Sequence, residues 1–251
     1  MQIGYSIDHV GALARSVDDA AIVTRAMTGH DTGDPFSTCH EDAFTNGEDK
    51  PVDRPRIGLP HGFFFDLADD AIRAATEAAC GVFKQSGGEV TQVSLPKSFA
   101  DVHQMHRLIM FAESAAYHEQ RLSRKPEAFS QGLRAQIEEG LLLPAAAYAE
   151  ARRHQVVFRR DMQACFRDVD VLVTPATPST APKGLSSTGD PVFNVPWSYS
   201  GYPTVVIPVS LADDGLPIGI QLVARPFDEA RLLAVARWCE SLLGFDESPR
   251  L

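Results

Sequence analysis

The run Asp190-Pro-Val-Phe-Asn-Val-Pro-Trp-Ser-Tyr-Ser-Gly-Tyr-Pro-Thr-Val-Val-Ile-Pro-Val-Ser, followed by Pro217-Ile-Gly-Ile-Gln-Leu-Val-Ala, decides the fold. Pro196, Gly201, Pro203, Pro208, Gly215, Pro217 and Gly219 punctuate short apolar stretches. A chain is written this way where rigid turns hold a pocket wall against a sheet. Residues 204–210 and 217–224 are β-rich and meet through Asp213-Asp214-Gly215, which predicts an antiparallel hairpin. Asp228 then caps a last helix that turns Leu232, Leu233, Val235, Ala236, Cys239 and Leu242 inward.

Working back from that region, Asp170-Val-Leu-Val-Thr-Pro reads as a buried strand running into a loop dense in Pro, Thr, Ser and Gly. Residues 99–167 read as a helical block broken at Pro126, Gly140 and Pro144, the last at a helix N1 position. Residues 56–60, 69–85 and 89–95 form a strand, helix, strand unit of the kind that builds parallel sheets. Residues 30–55 are polar and read as a surface loop. Ser16 followed by Asp19 is a capping box, with Val17, Ala20, Ala21, Val23, Thr24 and Met27 as the apolar face of the first helix. The expected fold is therefore α/β: one domain over residues 1–251, with a mixed β-sheet flanked by helices.

Composition limits what such a domain does. A chain of 251 residues with 44% hydrophobic residues can bury a large core, roughly three-quarters of its unfolded surface. The net charge of -10 opposes direct nucleic-acid binding, because no basic stripe is present to release counterions from phosphates. Arg152-Arg153 and Arg159-Arg160, beside Glu150 and Asp161, read as a solvated helix face. Cys39, Cys80, Cys165 and Cys239 form no C-x-x-C pair and are expected as reduced thiols. No apolar run reaches membrane-spanning length and no basic leader precedes one, so a cytoplasmic location is expected. His103, His106, Glu113 and His118 raise a metal-hydrolase reading through their helical spacing, but the H-E-x-x-H arrangement is missing and no metal is expected.

Four blocks, residues 6–20, 56–95, 170–182 and 193–233, resemble the amidase signature family in order and combination, beginning with Ser6-Ile-Asp-His-Val-Gly-Ala-Leu-Ala-Arg-Ser-Val-Asp-Asp-Ala. The resemblance implies hydrolysis of non-peptide carbon–nitrogen amide bonds without a metal or organic cofactor. Such enzymes use a serine nucleophile, a second serine in a cis peptide and a relay lysine, with backbone N–H groups holding the oxyanion. All of these lie upstream of the first matching block, so no catalytic residue is assigned, and the fold is expected to be incomplete at its N-terminus. The substrate side is assigned by the same resemblance to Thr174, Pro175, Ala176 and Thr177 in one loop, and to Phe193, Asn194, Trp197, Ser200 and Gly201 in the closing wall. Phe193 and Trp197 also suit a purely structural place in the core. Asp8 and Arg15 are expected to fix the entry into the first helix.

The expected ligand is a small amide, and the chain alone is expected to be inactive. The expected partner is either a second copy or a polypeptide carrying the missing half, which would also cover an open sheet edge. The alternative is a non-catalytic accessory or remnant protein. The tRNA-dependent amidotransferase branch stays open, since a partner chain can carry the RNA contacts.

Overall fold

The structure, a computed structural model, describes residues 3–34, 36–38 and 52–247. Cys39, Lys50 and most of the 30–55 loop lie outside them. Five strands, β1 (Arg56–Pro60), β2 (Glu89–Val93), β3 (Val171–Pro175), β4 (Thr204–Leu211) and β5 (Pro217–Val223), form one sheet in the order β2-β1-β3-β5-β4. β1 runs parallel to β2 and β3, whereas β5 is antiparallel to β3 and β4, so the sheet is mixed. The hairpin turns where expected: Ala212 N–H donates to Leu216 O at 2.8 Å and Gly215 sits at φ +78°.

Central position explains why β3 is buried at every residue. Its side chains alternate between two cores, as the pleat requires. Val171 and Val173 pack with Ile57, Ile207, Ile220 and Leu222 beneath α1 (Val17–Met27), α3 (Asp70–Gln85) and α8 (Glu229–Leu243). Leu172 packs on the other face under α2 (Phe63–Leu67), α4 (Val102–Arg124), α6 (Ala145–Met162) and α7 (Val195–Ser200). Gly58 allows the close fit there, since a Cβ would lie 2.8 Å from Leu172 Cδ2 and 2.7 Å from Val93 Cγ2. The β1–β3 seam is pinned by Asp170, which accepts from Arg56 N at 2.8 Å and from the Arg56 guanidinium at 3.0 Å. Burial raises the Asp170 pKa, but these hydrogen bonds outweigh it and leave the carboxyl below its usual range.

Several local expectations shift. Gly140 lies in the last turn of α5 (Gln131–Leu141), one residue before the expected break is completed, and a Cβ there would stand 2.1 Å from Phe111 O of α4. The glycine therefore permits a helix–helix contact. Pro144 occupies the N-cap of α6, one residue before the expected N1 site, and Asp228 stands at the α8 N-cap without a side-chain cap hydrogen bond. On α1 the Ser16 cap forms, its Oγ accepting from Asp19 N at 3.1 Å, but only Val17 and Ala21 are buried while Val23 and Met27 are exposed. The short helices α2 and α7 carry no strong periodicity and were not expected. No helix among the described residues is long and apolar enough to cross a membrane.

Candidate functional site

A half-open cavity of about 780 Å³ separates β4 from the segment that leads into α1. Residues 8–16 have no helix or strand, and they form a strap fastened at both ends. At the start, Ser6 donates from its backbone N to Glu113 Oε2 at 2.9 Å and from Oγ to Glu113 Oε1 at 2.5 Å. At the far end, Val17 N donates to Glu240 Oε1 at 3.0 Å. Between these anchors Val10 and Leu13 are 79% and 103% exposed.

The opposite wall is α7, held in place from α6. Ala151, Gln155 and Arg159 recur at helical spacing and so share one face. Tyr199 donates to Ala151 O at 3.0 Å, Gln155 Nε2 donates to Tyr199 O at 2.7 Å, and Arg159 Nε donates to Ser200 O at 2.8 Å. Desolvation, then the neighbouring Arg152, lower the Arg159 pKa. The arginines thus divide. Arg153 and Arg160 pair on the surface with Glu150 and Asp161, as expected of a solvated face, whereas Arg152 turns inward to Ser6 Oγ at 2.7 Å. Gly201 closes α7 at φ +72°, a left-handed conformation that suits glycine.

Of the residues assigned to the wall and loop, Asn194, Trp197 and Gly201 line the cavity. Trp197 stacks flat on Phe64, with centroids 5.6 Å apart and an interplanar angle of 6°. Phe193 lies behind it, fully buried between Phe63 and Phe64. Ser200 is turned into its own helix, donating to Pro196 O at 2.7 Å. Thr174, Pro175 and Ala176 are buried at the end of β3, and Thr177 is exposed, its Oγ1 donating to Ser179 O at 2.8 Å; none of the four is among the lining residues. Gln221, which also lines the cavity, donates from Nε2 to Asn194 Oδ1 at 3.0 Å. Gln221 Oε1, Thr174 Oγ1 and Trp197 Nε1 are buried and make no hydrogen bond within the chain. Buried polar atoms are seldom left this way in a finished fold. Thr174 and Gln221 are register partners across β3 and β5, so two of these atoms belong to one neighbourhood.

Asp8 lines the cavity and accepts from Ile3 N at 2.7 Å, and Arg15 lines it from the strap. His103 is engaged with Val192 O at 2.8 Å, and His106 is held near pKa 4 by burial and by His103. Among the described residues no group of three His, Cys, Asp or Glu side chains is placed to hold a metal ion. Cys80, Cys165 and Cys239 are free and buried, with thiols pushed up by desolvation.

Sequence reasoning missed Glu113 as the partner of Ser6. The carboxylate is 1% exposed and also accepts from Tyr148 OH at 3.1 Å, with Arg152 at 3.7 Å. Although a serine beside a carboxylate at a cavity suggests a nucleophile and base, the hydroxyl also accepts from Arg152, and the carboxylate is already shared among several donors. This geometry fastens the chain segment at Ser6 to α4 and α6.

The pattern of the family described as Amidase matches residues 2–233. The chain belongs to that amidase family. It is 33% identical over 272 residues to a glutamyl-tRNA(Gln) amidotransferase component from Anaeromyxobacter sp. (strain K), covering 95% of this chain and 55% of that one. It is 28% identical to an amidase of Pseudomonas putida, covering 92% and 52%. Among solved structures, a chain of an inhibitor-bound vestigial protein complex, described as revealing the evolutionary origins of an s-triazine catabolic enzyme, superposes with a TM-score of 0.81 at 31% identity, covering 96% of this chain and 55% of that one. A crystal structure of an amidase gives 0.80 at 27%, covering 96% and 54%. The chain thus spans about half the length of the relatives it matches.

Proposed function

We propose that this chain is the substrate-cradling part of an amide hydrolase that acts on non-peptide carbon–nitrogen bonds, and that it is inactive until another stretch of polypeptide supplies the nucleophile and its proton relay. The observation that carries this reading is the cavity itself. An aromatic and polar wall, Trp197 with Asn194 and Gly201, faces a strap of the family's pattern, yet among the described residues no lysine lines the cavity, and Ser6 is committed to Glu113 and Arg152. In this reading Asn194, Trp197 and Gly201 meet the amide. Thr174, Pro175, Ala176, Thr177, Phe193 and Ser200 hold that wall from behind and beside it.

The indole of Trp197 beside the carboxamide of Asn194 suits a small amide. The chain works as one domain in the cytoplasm and requires neither metal nor organic cofactor. The test is hydrolysis of a panel of small aryl and alkyl amides by the purified chain, alone and together with the part of a relative that it does not match. No turnover alone and turnover together is the expected result. Robust hydrolysis by the chain alone, abolished by Ser6→Ala, overturns it.

A further inference from the structure

The arginines of α6 are not neutralised alike. Arg153 pairs with Glu150, Arg160 with Asp161, and Arg152 lies 3.7 Å from the Glu113 carboxylate. Arg159 pairs with no carboxylate among the described residues, and the groups that act on its charge are Arg152, Tyr199 and Tyr202. In a chain with 33 acidic and 23 basic residues, a cation left without an acid runs against the composition. Partial desolvation and the like charge of Arg152 both disfavour it there, yet a guanidinium does not escape by losing its proton. The side chain is exposed and lines the cavity, so a ligand can reach it.

The hydrogen bonds around it leave the atoms that an anion needs. Arg159 Nε donates to Ser200 O at 2.8 Å, which fixes the guanidinium plane and leaves Nη1 and Nη2, a fork that fits a carboxylate. Gly201 lies beside that fork, since a Cβ there would stand 3.6 Å from Nη2. At the other end of α7, Asn194 gives its Oδ1 to Gln221, so its amide nitrogen is the group left over, without a partner among the described residues. Trp197 stands between the two ends, 2% exposed, and its Nε1 also makes no hydrogen bond within the chain. At about 1.5 Å of rise per residue, the caps Asn194 and Gly201 are about 10 Å apart along α7.

We propose that Arg159 recognises a carboxylate, so that the amide taken by this cavity is an acidic one. The carboxylate receives the Nη1 and Nη2 hydrogens beside Gly201, the carbon skeleton lies along Trp197, and the carboxamide oxygen accepts from Asn194 Nδ2. This rests on the proposed function for the amide end alone; the carboxylate end stands on Arg159. Asp8, Glu229 and Glu240 also line the cavity, but none of them is among the groups that act on Arg159, so the guanidinium is not already neutralised from the opposite wall. A neutral amide of the same shape would leave the fork as unsatisfied as it is in the free chain, and a site with an unmet polar group discriminates against the ligand that cannot meet it.

The experiment titrates the full chain with 4-carbamoylbenzoate and with its neutral counterpart terephthalamide, which share a ring and a carboxamide and differ in the charged group. Binding is read from the fluorescence of Trp197 in a Trp238→Phe background, where it is the sole tryptophan. The expected result is affinity for the carboxylate at least about tenfold above that for the diamide at low ionic strength, with the advantage shrinking as salt is added. Arg159→Gln should lower the affinity for 4-carbamoylbenzoate about tenfold, to that of the diamide, and leave the diamide unchanged; Arg159→Lys should keep part of the preference, and Arg153→Gln all of it. Comparison of the two probes on the chain with Arg159 in place does not depend on how Arg159→Gln folds, and the melting of that variant reports its folding separately. Equal affinities for the two probes, an equal loss of both in Arg159→Gln, the same loss in Arg153→Gln, or no binding of either probe overturns the inference. Preference for the carboxylate without amide hydrolysis, once the unmatched part of a relative is added, defeats the proposed function and leaves the Arg159 site standing. Hydrolysis that favours neutral amides does the reverse.

Discussion

The side of the sheet facing α4 and α6 and the side bounded by the strap and β4 are built to different standards. On the first, Phe64, Phe99, Phe158 and Phe193 interlock with Trp197, and Tyr199 and Gln155 find partners. On the second, the strap is fastened to Glu113 and Glu240 with Val10 and Leu13 in solvent between them, and α1 leaves Ile22, Val23 and Met27 exposed. The contrast is between closed cores, one on each face of the sheet, and an open margin where the strap and β4 meet.

Mutations should break that contrast unequally. Phe64→Ala removes the ring on which Trp197 stacks and is expected to cost about 3–5 kcal/mol in denaturant unfolding; a loss under about 1 kcal/mol would show that the aromatic cluster is not the main core. Glu113→Ala unfastens the strap and leaves Tyr148 and Arg152 without their acceptor, for about 2–3 kcal/mol given that Arg152 is partly solvated. Its particular signature is faster amide exchange at residues 6–10 while α4 stays protected.

Gly140→Ala drives a methyl into the Phe111 carbonyl and should destabilise by about 2 kcal/mol, read as a fall in melting temperature. His106 gives a pH signature of the packed side. Its folded pKa, about 4, is below the unfolded value of about 6.5, so the unfolded chain binds the extra proton first. Stability should fall by about 2 kcal/mol as pH drops from 6.5 toward 4, and His106→Phe should flatten that slope. The smallest effect belongs to the open side: Val206→Asp should leave the isolated chain within about 0.5 kcal/mol of its parent. A larger loss would mean that β4 is already covered within the chain.

All five strands and the parallel unit were legible in the sequence because apolar runs bounded by Gly and Pro report strands directly, and Asp213-Asp214-Gly215 reports its own turn. Gly140 marks the end of α5 as the sequence suggests, but a sequence does not show that the backbone of a neighbouring helix needs the space. The helices α2 and α7 were silent, being too short to show a period. At the site, Asn194, Trp197 and Gly201 border the cavity, while Phe193 and Ser200 took the structural places that aromatic and hydroxyl side chains equally fit. Ser6 and Glu113 lie 107 residues apart, and no local pattern links them. The Ala151, Gln155, Arg159 spacing was available as a signal for the face of α6 that holds α7, but charge runs conceal such a face when the whole segment is read as solvated.

The strap is moored to two glutamates on different helices, Glu113 on α4 and Glu240 on α8, so the length of chain between Ser6 and Val17 is fixed by the body rather than by the strap. Extra residues could bulge outward there at little cost, while shortening must release one mooring. Natural or engineered length variation in this stretch should therefore be one-sided, with additions tolerated and removals disruptive.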